Sequence, residues 1–467
     1  MNDIKEIFSL IQNITSEDKA LLQKAYDFAV KSHEGHTRKS GEPYFNHLFG
    51  TAKNIASLNA GVATIVAGFL HDSIEDTEIT PETIEKEFGK EILFLVEGVT
   101  KLGEIKYRGT NRYNESMRKF FLAMSQDLRV LIIKLCDRLH NMQTLSHVPK
   151  EKQLRIAKET LEIYAPLAYR LGIKTLQREL EDLAFAYVYP KEFEEIKKIL
   201  KKKKEEVENH LDKFEKSLKK ELAKNGITEF KMDHRVKSLY SLYKKLQKYK
   251  WDVEAIYDIS ALRVTVKEVS DCYRILGIVH GAWRPLPGRI KDYIASPKLN
   301  GYRSIHTTIF TGDGGIIEVQ IRTEEMHKEA EYGVASHLSY KEGKKNTGWI
   351  QELVEFQNVS GDEFLEHAKK DFFEERIFVF TPIGDVIDLP KDSSVIDFAY
   401  NIHTDIGNHM VGAKVNGKFS AITTILQNGD RVEVETKKNA KPNKKWIESC
   451  KTTMAKRRIN NYLENNK

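Results

Sequence analysis

Two histidines and two aspartates, His47, His71, Asp72 and Asp137, are the residues best suited by type to hold a divalent metal. The chemistry they point to is hydrolysis of a phosphate ester or anhydride. His47 lies in GEPYFNHLFGTA, His71-Asp72 in AGFLHDSIEDT and Asp137 in LIIKLCDRLHNMQTL. Two imidazoles and two carboxylates suit a borderline ion such as Mn²⁺ and leave positions for water and a phosphate oxygen. Glu75 and Asp76 follow His71 and Asp72 at i,i+4, one helical turn away, where a carboxylate could orient or deprotonate the attacking water. Arg38 and Lys39, in the loop HTRKSGEPY, are placed to neutralise phosphate charge. A histidine on a helix is more often packed than ligating, and His33, His36, His140 and His147 are read that way.

A second constellation lies some 200 residues on. In HRVKSLYSLYKKLQKY, Lys237, Ser241 and Lys245 recur every four residues, with Arg235 just before them and Leu239, Leu242 and Leu246 on the opposite side. Such a stripe could grip a triphosphate. No G-x-x-x-x-G-K-[ST] loop occurs, so side chains must do the cradling. In IIEVQIRT, strand alternation puts Glu318, Gln320 and Arg322 on one face, and Asp258 in AIYDISALR begins another strand. Two carboxylates beside a polyanion suggest Mg²⁺ on Asp258, with Glu318 as ligand, general base, or both. Between them, DYIASPKLNGYRSIHT contains an Asn300-Gly301 turn that presents Tyr302 to stack on a base, with Lys298 and His306 nearby.

The elements that must position these groups change in texture along the chain. Residues 1–195 read as helix after helix, with apolar residues at three- and four-residue spacing. A Lys/Glu-dense amphipathic helix then connects to an α+β region, 196–345, with strands at Ala261–Val266 and Ile316–Ile321. A helical linker, 346–373, carries Trp349 and Phe356. A compact β-rich module, 374–437, has turns at Gly384, Asn416-Gly417 and Asn428-Gly429, and a basic helical stretch, 438–467, follows.

At 467 residues the chain exceeds one hydrophobic core, and several domains are expected. Hydrophobic content of 40% with 30% charged residues is that of a folded, soluble protein. A net charge of +6, set against 74 basic and 68 acidic side chains, favours anionic partners without singling out nucleic acid. Three scattered cysteines argue for a reducing, cytoplasmic setting and against a disulfide framework or structural zinc. The longest apolar stretch, Gly61–Leu70, is about half of the roughly 20 residues a bilayer span needs, so no membrane association is expected.

These residues sit in segments similar to those of one family. HTRKSGEPYFNH, HDSIEDT and KLCDRLHNM resemble the hydrolase motifs of the long RelA/SpoT homologues. RVKSLYSLYKK, YDISALR, DCYRILGIVH, RIKDYIASPKLNGYRSIHT, EVQIRT and MHKEAEYGVASH resemble that family's synthetase motifs. The segment from VFTPIGDVIDLP to HMVGAKVNG is similar to its TGS module. The resemblance implies an all-α HD-type hydrolase domain, a nucleotidyltransferase-like α+β synthetase domain and a small β-grasp-like TGS domain. It implies transfer of pyrophosphate from ATP to the 3′-hydroxyl of GDP or GTP, giving (p)ppGpp, and Mn²⁺-dependent removal of that 3′-pyrophosphate. By motif position, Arg235, Lys237 and Lys245 would bind ATP phosphates, Asp258 would bind Mg²⁺, Glu318 would activate the 3′-hydroxyl and Tyr302 would stack on guanine. Asn141 and Thr144 would join Arg38 and Lys39 in holding the hydrolase substrate.

Arg289-Ile290-Lys291-Asp292 is similar to the basic version of a short motif found in bifunctional members. Departures are small: Leu48 follows His47 where many relatives carry Pro, and Leu338 follows His337 where an aromatic is common. Long members continue further, so the chain reads as truncated after TGS. Two other functions stay open: a hydrolase whose second domain is only a nucleotide sensor, and an interaction protein. The latter would dock on deacylated tRNA or the ribosome through His403 and the cluster Lys437, Lys438, Lys441, Lys444 and Lys445. Opposed reactions in one chain also imply that nucleotide in one site disfavours the other, through helices between about 150 and 225.

Overall fold

The computed structural model describes residues 3–100, 127–256, 258–298, 300–336 and 376–465. The expected linker at 346–373, with Trp349 and Phe356, and the His337-Leu338 pair lie outside these. The described residues up to 336 belong to one compact unit and 376–465 to a second.

The first half of the larger unit is helical, as its three- and four-residue periodicity requires. Its helix starts are set locally. Thr15 and Asp18 form a capping box for Ser16–Ser32, Thr80 with Pro81 opens Pro81–Phe88, and the Asp127 side chain accepts from Arg129 N–H to open Leu128–Gln143. Leu48, Ala52 and Ile55 of Phe45–Ser57 pack with Ile65, Val66 and Phe69 of Val62–Leu70 and with Val130, Leu131 and Ile133 of Leu128–Gln143, all fully buried. Each large apolar side chain buried this way contributes about 1.5–3 kcal/mol. Gly68 lets two of these helices approach closely: a Cβ there would stand 2.4 Å from Ile55 Cδ1. Helices Lys150–Glu159 and Ala165–Arg170 are joined by a π-helical turn at Thr160–Tyr164, where Pro166 cannot donate to the helical ladder.

The 35-residue helix Pro190–Lys224 leads into the α+β half. Its apolar stripe is buried on two neighbours. Leu211, Phe214, Leu218 and Leu222 lie under a five-stranded sheet, and Ile196 packs with Leu242 and Leu246. The sheet runs β1 (Lys231–Val236), β2 (Ser260–Val266), β5 (Ile316–Thr323), β4 (Ile305–Phe310), β3 (Lys291–Asp292). All neighbours are antiparallel except β2 and β5, which run parallel with Ala261 opposite Glu318. As the alternation requires, Ile317, Val319 and Ile321 face the core while Glu318, Gln320 and Arg322 line the other face.

The smaller unit pairs β6 (Arg376–Phe380) with β7 (Val386–Pro390), and lays β8 (Met410–Val415) between β9 (Lys418–Ser420) and β10 (Val432–Thr436). Asn416 and Gly417, at φ 53° and 79°, make the β8–β9 turn that Asn-Gly favours. Helices Val395–Ile402, Thr404–His409, Lys445–Ser449 and Thr453–Asn465 complete it. No helix among the described residues is long and apolar enough to cross a membrane.

Candidate active sites

Three helices and a short turn of a fourth bring the first constellation together. His47 sits in the first turn of Phe45–Ser57, His71-Asp72 close Val62–Leu70, and Asp137 is in the middle of Leu128–Gln143. His47 Nε2 lies 3.5 Å from Asp72 Oδ2 and 3.3 Å from Asp137 Oδ1. His71 Nε2 lies 3.1 and 4.0 Å from the same two oxygens. The His71 Nδ1–H donates to the Gly68 carbonyl at 2.9 Å, which turns Nε2, a buried nitrogen with no hydrogen-bond partner, toward the carboxylates. Against burial, which would lower it, the Asp72 and Asp137 carboxylates raise His71 to about 9. Asp72 and Asp137, though desolvated, are held well below the usual carboxylate range, Asp72 by the two histidines and Asp137 first by Lys134 and then by them. A group able to hold a metal ion is formed by His47, His71 and Asp137, with the Asp72 oxygen alongside. The residues present fit a divalent metal: an orphaned buried imidazole nitrogen faces paired carboxylates.

Around this point, Arg38 donates to Asn141 Oδ1 at 2.6 Å and to Thr144 Oγ1 at 3.3 Å, and Asn141 donates to Asp137 Oδ1 at 2.5 Å. Lys39 is exposed on the same loop. Glu75, in the turn Ser73–Asp76, is raised to about 7 by desolvation and by the Asp72 charge. Three residues of this site were not singled out from sequence. Tyr44 donates to Asp72 Oδ2 at 2.8 Å or to Asp76 Oδ2 at 2.7 Å. Lys134 holds Asp137 Oδ2 at 2.8 Å. His140, read above as merely packed, lies with Nδ1 3.0 Å from His47 Nδ1; burial, with His47 and Arg38 beside it, lowers it to about 3.

The second constellation gathers at one end of β2 and β5. Lys237 is not on the helix stripe as expected. Extended backbone at Ser238 delays the helix to Leu239–Lys248, so Lys237 leaves β1 and meets Lys245 across Asp258. The two ammonium groups lie 2.6 and 2.5 Å from the two Asp258 oxygens and, against burial, hold that carboxyl at about 2. Ser241 accepts from Ser238 at 2.8 Å. Arg235 donates to Gln320 Oε1 at 3.0 Å, Gln320 donates to Glu318 Oε1 at 3.2 Å, and the His306 Nδ1–H lies 2.7 Å from the same oxygen. Despite burial, which would raise it, these partners keep Glu318 below its ordinary pKa. Burial lowers Lys237, Lys298 and His306.

Tyr302 does not stand open as its turn suggested. It is 3% exposed, its hydroxyl donates to His306 Nε2 at 2.8 Å, and Lys174 Nζ lies 3.1 Å from the centre of its ring. Two backbone contacts lie close by. Val334 N–H donates to Leu171 O at 3.0 Å, and Gly172 sits so close to Asn300 that a Cβ would lie 2.9 Å from its carbonyl. Arg322 is likewise buried, bonded to His327 at 2.7 Å and paired with Glu331 at 3.3 Å. Glu331 also pairs with Arg178 at 2.6 Å. The helix Lys174–Val188 further supplies Asp182, whose carboxylate accepts from Leu239 and Tyr240 N–H and so caps the basic helix.

In the smaller unit, His403 Nδ1 accepts from Asp405 N–H, the imidazole remains largely exposed, and Lys437, Lys438, Lys441, Lys444 and Lys445 are all exposed.

Three family models match the chain: an HD domain over residues 25–174, a region found in RelA / SpoT proteins over 234–345 and a TGS domain over 377–436. A GTP pyrophosphokinase from Myxococcus xanthus is 45% identical over 96% of this chain and 61% of its own length. A guanosine-3′,5′-bis(diphosphate) 3′-pyrophosphohydrolase from Aquifex aeolicus is 44% identical over 95% of this chain and 64% of its own length. A protein of the same description from Borreliella burgdorferi is 44% identical, over 95% of this chain and 68% of its own. The chain thus spans less than two thirds of the first two relatives. With three domains matched in order and this identity along nearly its whole length, the chain belongs to the RelA/SpoT family.

Proposed function

We propose that the chain both makes and removes a guanine-nucleotide 3′-pyrophosphate. The observation that carries this is the coexistence, in one compact unit, of a His/Asp metal-type site and a separate cleft holding Asp258, Glu318 and a cluster of cations. Relatives bearing the names of both activities support it.

In the hydrolase, His47, His71, Asp72 and Asp137 would hold Mn²⁺, which supplies Lewis-acid charge to a phosphate oxygen and acidifies water. Arg38, Lys39, Asn141 and Thr144 hold the nucleotide, and Glu75 and Asp76 position the attacking water and take up its proton. In the synthetase, Arg235, Lys237, Ser241 and Lys245 grip the ATP phosphates, and Asp258 with Glu318 would hold Mg²⁺. Glu318 Oε takes the proton of the acceptor 3′-hydroxyl, which then attacks the β-phosphorus and releases AMP. Tyr302, with Lys298, Asn300 and His306, receives the acceptor base, and Gln320 and Arg322 hold the strand face. Domains follow as 1–195, 196–345 and 374–437. Lys174 on Tyr302, together with Asp182 on the basic helix, supports antagonism between the two sites.

The test is direct. Protein with ATP, GDP and Mg²⁺ should yield AMP and ppGpp, and protein with ppGpp and Mn²⁺ should yield GDP and pyrophosphate. Hydrolysis without any synthesis, even at saturating nucleotide, would instead establish the second reading, a hydrolase with a nucleotide-sensing domain, which the burial of Tyr302 favours. Binding to deacylated tRNA through His403 and the five lysines is a further expected role of the smaller unit. It should weaken steeply with salt.

A further inference from the structure

The two imidazoles of the metal-type site are oriented by different means. His71 gives its Nδ1–H to a backbone carbonyl, Gly68 O, at 2.9 Å. His47 has its Nδ1 against another imidazole, His140 Nδ1, at 3.0 Å. A hydrogen bond between two Nδ1 atoms needs one proton, and the site says which ring owns it. His47 Nε2 faces Asp72 Oδ2 and Asp137 Oδ1 at 3.5 and 3.3 Å, so this nitrogen must be bare to bind a cation. The His47 proton then sits on Nδ1 and is donated to His140, whose own proton is on Nε2.

His140 is itself held in place. Gly50, one turn after His47 on the same helix, leaves room for it: a Cβ at Gly50 would stand 2.1 Å from His140 Cδ2 and 2.4 Å from Nε2. Arg38 Nη1 approaches His140 Nδ1 from the other side at 3.5 Å while bonding Thr144 and Asn141. One ring therefore touches a metal ligand, the glycine beneath it and the arginine of the substrate loop.

We propose that His140 is a positioning residue: it accepts the His47 Nδ1–H, locks that imidazole with Nε2 toward the divalent ion, and links the ion's site to Arg38. The inference rests on the metal reading above. Outer partners of a ligating histidine set its tautomer and ring angle, and their loss weakens metal binding about 10- to 100-fold.

The experiment measures Mn²⁺ binding to the full chain without nucleotide, by the electron paramagnetic resonance signal of free Mn²⁺, alongside the thermal midpoint without metal. H140L, which has no acceptor, should weaken Mn²⁺ about 10- to 100-fold. H140N, whose Oδ1 takes the place of Nδ1 and accepts the same proton, should remain near wild type. G50A, which displaces the ring without removing it, should weaken binding in the same direction. Wild-type affinity in H140L overturns the proposal. So does H140N binding as weakly as H140L at an unshifted midpoint. Should H140L not fold, H140N and G50A decide: weak binding by H140N or wild-type affinity in G50A overturns it. Failure of the wild type to bind Mn²⁺ at all would remove the metal reading itself, which is a different result from wild-type binding that His140 does not influence.

Discussion

The two sites of the larger unit differ in what satisfies their charges. At the metal-type site, Tyr44, Lys134, Asn141 and the Gly68 carbonyl hold the ligating groups from behind, and the buried His71 Nε2 is left without a hydrogen-bond partner where the donors converge. At the second site the same kinds of group are turned on one another: two lysines on Asp258, His306 on Glu318, Lys174 over Tyr302. Buried charges must be paired or coordinated. One site therefore presents imidazole nitrogens and carboxylate oxygens to a common point, as a divalent cation requires, and the other pairs its carboxylates with lysines and a histidine that nucleotide phosphates would also attract.

The largest effects should separate the two sites completely. D137N removes the negative charge that faces the two histidines and the oxygen that Lys134 holds, so hydrolysis should fall to background while synthesis persists. E318Q keeps the shape of the Glu318 side chain but removes its basicity, and synthesis should fall about 10²- to 10⁴-fold with hydrolysis unchanged. Both are read by separating nucleotide products after parallel incubations. If either variant lost both activities while keeping its thermal midpoint, the picture of two independent chemistries would be wrong.

The sites were unequally legible in the sequence. His47, His71, Asp72 and Asp137 could be singled out because residue types suited to a metal recur on or beside helices whose apolar periodicity is plain. His140 and Tyr44 could not, since a histidine or tyrosine in a helical region usually packs. The only available signals were Gly50, three residues after His47, and His140, three residues after Asp137. The helices and the strands β2 and β5 followed from their patterns. Strand β1, KMDHRV, is an edge strand with a largely exposed side and no apolar alternation, so only its pairing with β2 reveals it. Missing it put Lys237 on the following helix. The cover over Tyr302 is a contact between residues some 130 apart in sequence and leaves no local trace.

A smaller effect should come from the ion cluster that joins the two halves. Glu331 pairs with Arg178 from the helical half and with Arg322 from the sheet. Against burial, these arginines hold it at about 2 rather than the ordinary 4.5. A depressed carboxyl pKa means that this stabilisation is complete above about 4.5 and is lost as pH falls toward 2. E331Q should therefore cost about 3 kcal/mol at neutral pH by leaving buried guanidinium groups unpaired. The gap between wild type and variant in denaturant titrations should close as the solution is acidified through that window. A gap that stayed constant down to pH 2 would mean that Glu331 contributes through packing rather than charge.

The smallest effect tests the cover itself. Lys174 is desolvated, and burial together with Arg235 and Lys298 pulls its pKa well below that of an ordinary lysine. Its Nζ lies 3.1 Å from the centre of the Tyr302 ring, where a charged amine gains a contact worth on the order of 1 kcal/mol. A base that stacks there must give that contact up. K174M keeps most of the stem and removes the charge, so the acceptor nucleotide should bind more easily, with KM for GDP falling roughly fivefold and kcat little altered. Hydrolysis should respond only where acceptor nucleotide is present, through stronger inhibition by GDP. An unchanged KM would mean that the backbone contacts at Leu171–Val334 and Gly172–Asn300, rather than the lysine, keep the tyrosine covered.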